Sequence, residues 1–210
     1  MAGSAADGAT RPSSVSVALI SLVLVALIAG AVFIPTAWLR QVQALEQQWI
    51  LSHLGENTAR AILHQAARWF DAQVAASGRG DRALQEALSW TLLEGSDPAW
   101  LTDRLEAAWL LVELALLRAA LLAAWAPAMG LLLMAGVLDG HWRWRIRQLG
   151  FDYPSPSARQ AGQLGLRLVV GLLLFMVLLP VPLHPFVIPL LGLPAVLFIG
   201  TSLAHRPKQL

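Results

Sequence analysis

Charged and apolar positions are sharply segregated along this chain. Three stretches contain no Asp, Glu, Lys or Arg: Pro12–Leu39, Ala119–Leu138 and Leu168–His205. About 20 apolar residues of helix cross a hydrocarbon layer ~30 Å thick. The first two stretches each fit one crossing. The third has room for two, with Pro180, Pro182 and Pro185 breaking it near the middle. The pattern predicts an all-α polytopic membrane protein with four transmembrane helices and a helical extracytoplasmic segment.

The expected boundaries follow. Residues 1–12 form a disordered cytoplasmic tail and 13–39 the first transmembrane helix. Residues 40–105 form a periplasmic helical segment, and 106–138 a long helix ending in the second span. A basic cytoplasmic loop occupies 139–161. Spans three and four cover 162–181 and 186–204, and a short tail covers 205–210. Pro35 bends the first helix, and Pro189 and Pro194 sit inside the fourth. A proline costs a backbone donor but is tolerated in membrane helices. The first apolar run exceeds the 7–15 residues of a signal-peptide core, so a retained anchor is expected.

Between the first two runs the pattern is helical. Leu45, Trp49, Ile62, Ala66, Trp69 and Phe70 recur at three- and four-residue spacings. Gly55 interrupts this run, and Ser77–Gly80 reads as a turn. Asp81 is placed to cap a short helix presenting Leu84, Leu88 and Leu92. Asp97 then serves as N-cap and Pro98 as first helical residue. No Gly or Pro follows until Pro127, so one helix is expected from Pro98 to Leu138.

Charge sets the orientation. The stretch after the second run carries Arg143, Arg145, Arg147, Arg159 and Arg167 against Asp139 and Asp152, five minus two, or +3. Segment 40–106 carries six Arg against nine carboxylates, or −3. Basic residues near span ends favour the cytoplasm. The stretch 143–167 and both termini are therefore assigned inside, and segment 40–105 outside. Trp38, Trp109, Trp142 and Trp144 fall at expected span ends, where indoles prefer the headgroup layer.

The chain has no cysteine, which excludes disulfides, thiolate zinc sites and iron–sulfur clusters. The five histidines are scattered, so no metal site or cofactor is expected. No nucleophile elbow or phosphate-cradling glycine loop occurs. Arg118 is expected at the interface, where its stem can snorkel, with Glu113 further out.

The most distinctive stretch is His141-Trp142-Arg143-Trp144-Arg145-Ile146-Arg147. It can anchor in an anionic leaflet, dock a cytoplasmic protein, or stack on single-stranded DNA; direct nucleic-acid binding is not expected. Small residues four apart (Ala26/Gly30, Ala126/Gly130, Ala161/Gly165, Gly200/Ala204) suit close helix packing.

At Asp139-Gly140, followed by Arg143, Ile146-Arg147 and Gly150, the chain resembles a family of membrane proteins of integrating conjugative elements. These are encoded among conjugative type IV secretion genes, near that for the coupling ATPase. The resemblance implies an inner-membrane role in conjugative DNA transfer, with no assigned catalytic residue. Pro154–Gly162 stands where the family pattern continues with a more polar, Tyr/His-containing stretch. The expected function is thus a non-enzymatic component that packs its helices and docks partners, the coupling ATPase foremost. The alternative is a small membrane enzyme or permease, with Glu113, Arg118 and His184 converging inside the bundle.

Overall fold

A computed structural model describes residues 32–75, 98–150 and 155–206, with isolated positions at 25, 29, 30, 78, 82, 85, 86 and 89. Most of the first expected span, most of the 77–97 stretch with its Asp81 and Asp97 caps, and the Tyr153-Pro154 stretch lie outside the described residues. So do both chain ends. Among the described residues the chain is all-helical, without strands.

Five α-helices carry the structure: α1 (Thr36–His53), α2 (Glu56–Phe70), α3 (Pro98–Leu149), α4 (Pro156–Leu178) and α5 (Val187–Ala204). A π-helical turn, Asp71–Ala75, extends α2. Three helices, α3, α4 and α5, are long and apolar enough to cross a membrane.

Local sequence explains the breaks. Pro35 precedes α1, so the chain starts a new helix there. Gly55 has φ +78° and ψ 149°, a conformation essentially closed to other residues, and it separates α1 from α2. Ser155 caps α4, its hydroxyl accepting the Ala158 amide, with Pro156 in the first turn.

Helix α3 departs from expectation. It does not stop at Leu138 but continues unbroken through Leu149, 52 residues or ~78 Å. The expected basic loop, 139–161, is therefore helical at both ends, over 139–149 and again from Pro156, where α4 begins. Gly140, just past the expected end, is a packing site.

Glycines let the three apolar helices touch. A Cβ at Gly140 would lie 2.7 Å from the Gly200 carbonyl oxygen, and one at Gly162 2.8 Å from the Ser202 nitrogen. Gly136 meets Val196, and Gly165 meets the Phe198 ring. These contacts make α5 run parallel to α3 and antiparallel to α4, lying between them. Of the small residues picked from sequence, Gly200, Ala204, Gly165 and Gly30, which meets Leu111, lie at contacts. Ala126/Gly130 does not: Gly130 has nothing within 4 Å. Gly136/Gly140 has the same spacing and is the pair that packs.

Helices α1 and α2 cover the other end of α3. Their buried face is Leu39, Val42, Glu46 and Ile50 on α1, and Ala59, Ile62 and Ala66 on α2. Leu45, expected on that face, is exposed. Ile50, Ala59, Ile62 and Ala66 pack on Leu117, Ala120, Leu121 and Ile188. Amphipathic α2 thus lies across the first turn of the charge-free run of α3, its Glu56–Arg60 pair facing outward.

Candidate functional site: a buried ion pair and a basic helix end

Arg118 sits where α1, α3 and the α4–α5 hairpin meet. It is 1% exposed and its partner Glu46 2%. The guanidinium fork takes the carboxylate from two sides: Nε donates to Oε1 at 3.1 Å and Oε2 at 3.2 Å, and Nη2 to Oε1. Its remaining protons go to backbone. Nη1 donates to the carbonyls of Met176 (2.6 Å), Val177 (3.3 Å) and Leu179. Nη2 also donates to that of Val181, at 2.6 Å. The Leu183 amide donates to Glu46 Oε1 at 2.8 Å.

The physical logic is helix termination. The last four carbonyls of a helix have no partner within it. At the end of α4 two of them, with two more from the hairpin, converge on one cation. This corrects the expectation that Arg118 snorkels at an interface. A guanidinium offers five donors in a planar fork, and here the protein supplies every acceptor. Trp38 adds a second tie to the hairpin, its indole N–H donating to the Pro180 carbonyl at 3.0 Å.

Imidazoles and indoles gather beside this pair. His184 lies 4.7 Å from His53 and 5.4 Å from Trp49 between ring centroids, and Phe186 stands next to Trp125. His53 and His184 are thus neighbours, although their sequence positions gave no hint of it. No group of three metal-ligating side chains forms among the described residues.

Glu113 is half-buried and makes no hydrogen bond or ion pair with Arg118 or His184, so those three do not form one site. The cavity beside Arg118 is about 10 Å³, lined by Leu122, Leu173, Met176, Val177, Leu183 and Ile188. That is the limit for a single water.

The basic stretch occupies the last three turns of α3, at the opposite end. His141 and Trp144 form a ring pair 5.4 Å apart. Arg143 pairs with Asp139 one turn back, Nε to Oδ2 at 3.0 Å. Arg147 is half-buried and reaches the Ala204 carbonyl at the end of α5, at 3.4 Å. Trp144 is half-buried too, its indole N–H enclosed without an acceptor among the described residues. Arg145 is exposed and unpaired among the described residues. Trp142, Ile146 and Leu149 project outward from one stripe, 59, 68 and 90% exposed. The six residues singled out from sequence therefore divide. Arg147 reaches α5 and Trp144 is half-buried, whereas His141, Trp142, Arg143 and Arg145 are exposed, Arg143 with its Asp139 partner.

The structure is thus a bundle of glycine-packed helices, three of them long and apolar enough to cross a membrane, with a basic terminal extension and no recognisable catalytic centre among the described residues. A family model for IncC plasmid conjugative DNA transfer proteins matches residues 37–208, most of the chain. The chain belongs to this family, the DtrJ-like conjugative DNA transfer proteins. No curated protein and no solved structure matches it.

Proposed function

We propose that this chain is a non-enzymatic inner-membrane component of a conjugative, type IV secretion-like transfer apparatus, carried by an integrating conjugative element. It crosses the membrane four times with both termini in the cytoplasm. Segment 40–105 stands in the periplasm, and the basic end of α3 docks a cytoplasmic transfer protein. The coupling ATPase is the first candidate partner.

The observation that carries this reading is the course of α3. Residues 139–149 prolong the apolar helix by about 16 Å in the same direction. Gly140 packs on Gly200 and Arg147 reaches the Ala204 carbonyl, so this stretch carries Ile146 and Leu149 to the end of α5 and past it. An exposed apolar stripe flanked by Arg143 and Arg145 suits an acidic, apolar surface on a soluble partner. The permease reading loses support because Glu113 bonds to neither Arg118 nor His184, and Arg118 is fully engaged by Glu46 and backbone carbonyls.

The test is to replace Arg143 and Arg145 by Gln and Ile146 by Ala in the full chain within donor cells. Arg147 stays intact because it caps α5. Normal membrane insertion is expected, with the ATPase absent from mild-detergent purifications. Mating should fall about tenfold, the effect of losing about 1.4 kcal/mol of docking. Wild-type mating and co-purification in this variant would refute the docking assignment.

A further inference from the structure

Arg167 is the twelfth of the 23 residues of α4 and lies at its midpoint. It is exposed, with no hydrogen bond or ion pair among the described residues. Sequence grouped it with the cytoplasmic arginines, but the packing places it deeper. Gly165, two residues earlier, already meets Phe198, six residues before the end of α5. Arg167 is therefore about 12 Å from that end, and about 17 Å from Leu178 at the hairpin. An arginine side chain is shorter than either distance.

The surface around it is apolar, with Leu164, Leu168 and Leu174 exposed, so the charge stands alone on it. Opposite the α5 contact of Gly162, Gly165 and Val169, α4 presents Gln160, Leu164, Arg167, Gly171 and Leu174, all exposed. Gly171 has nothing within 4 Å, so a backbone can approach closely one turn from the charge. Charged side chains within membrane segments almost always find a partner, and an unpaired arginine at mid-depth is costly.

Among the described residues none supplies that partner: the charge-free runs hold no carboxylate, Asp139 is paired with Arg143 and Glu46 with Arg118, and Glu113 lies beyond Arg118, past the hairpin end of α4. A second copy has the same deficit. We infer that the outward face of α4 docks a transmembrane helix of a different protein, one carrying an Asp or Glu near the middle of the bilayer that pairs with Arg167. This rests on the membrane reading proposed above.

The experiment uses the full chain in conjugation-competent cells, with a photoreactive phenylalanine analogue at Leu164 and, separately, at Leu174. The expected adduct joins α4 to an apolar peptide containing Asp or Glu. Its yield should fall about tenfold in Arg167→Leu and persist in Arg167→Lys. Arg167→Leu makes the helix easier to insert, so a lost adduct does not reflect failed insertion. An adduct unaffected by Arg167→Leu, one to a peptide without a carboxylate, one to another copy of the chain, or no protein adduct at all would overturn the inference. Alkaline carbonate separates the two proposals. A wild-type chain washed from the membrane overturns both, whereas a chain that stays but gives no adduct overturns only the pairing.

Discussion

Replacing Glu46 by Ala would strand the Arg118 guanidinium in a site only 1% exposed. Removing one partner of a buried ion pair typically costs about 3–5 kcal/mol, because the other charge is left uncompensated. The Leu183 amide loses its acceptor as well. The reverse change, Arg118→Met, leaves Glu46 buried and removes the donor from four carbonyls. It should cost at least as much. The double variant Glu46→Ala/Arg118→Met removes both charges, yet those carbonyls stay bare. It should therefore be less damaged than the sum of the single variants, by about 2–3 kcal/mol of coupling, but still below wild type. For a chain of this size 1 kcal/mol moves the melting temperature by about 2–4 °C, so Glu46→Ala should melt roughly 6–20 °C early. Thermal unfolding in one detergent, followed by gel filtration or intrinsic Trp fluorescence, gives all four corners of the cycle. If Glu46→Ala melts with wild type, or the two single losses simply add, the pair does not hold the hairpin as described.

Three further outcomes are expected. Gly140→Leu should lower the melting temperature through overpacking, by about 1–3 kcal/mol, since its Cβ would meet Gly200 backbone; Gly130→Ala, in open space, should be neutral or slightly stabilising, and equal effects at the two would contradict the seam. Gly55→Ala should cost about 1–3 kcal/mol, because φ is +78° there; an unchanged melting temperature would remove the reason given for the α1–α2 break. As the chain lacks cysteine, single cysteines at positions 145 and 184 report sidedness cleanly: an impermeant thiol reagent added outside should label 184 and spare 145, and the opposite pattern would invert the proposed orientation.

Much of the architecture is legible in sequence because charge-free runs and helix breakers act locally. Pro98 opens α3 and Gly55 parts α1 from α2 for reasons visible in a few residues. The end of α3 is not legible locally: the charge-free run stops at Leu138, but the helix continues because Gly140 packs on Gly200, sixty residues away. The same holds for the ion pair. Glu46 and Arg118 are 72 positions apart, and nothing local joins them. A signal existed nonetheless: Leu39, Val42, Glu46 and Ile50 follow three- and four-residue steps, which sets a carboxylate on an apolar stripe. The basic segment was identifiable from composition, but which of its arginines stay free depends on where α5 ends.

The unbroken course of Pro98–Leu149 has a mechanical consequence. On the membrane reading proposed above, a rod about 78 Å long would work as a lever, a 10° rocking about its midpoint swinging each tip by about 7 Å. Pro127, near the centre, is where such a rod would give way first. On that reading, motion imposed on one side of the membrane would reach the other without any passage of solute.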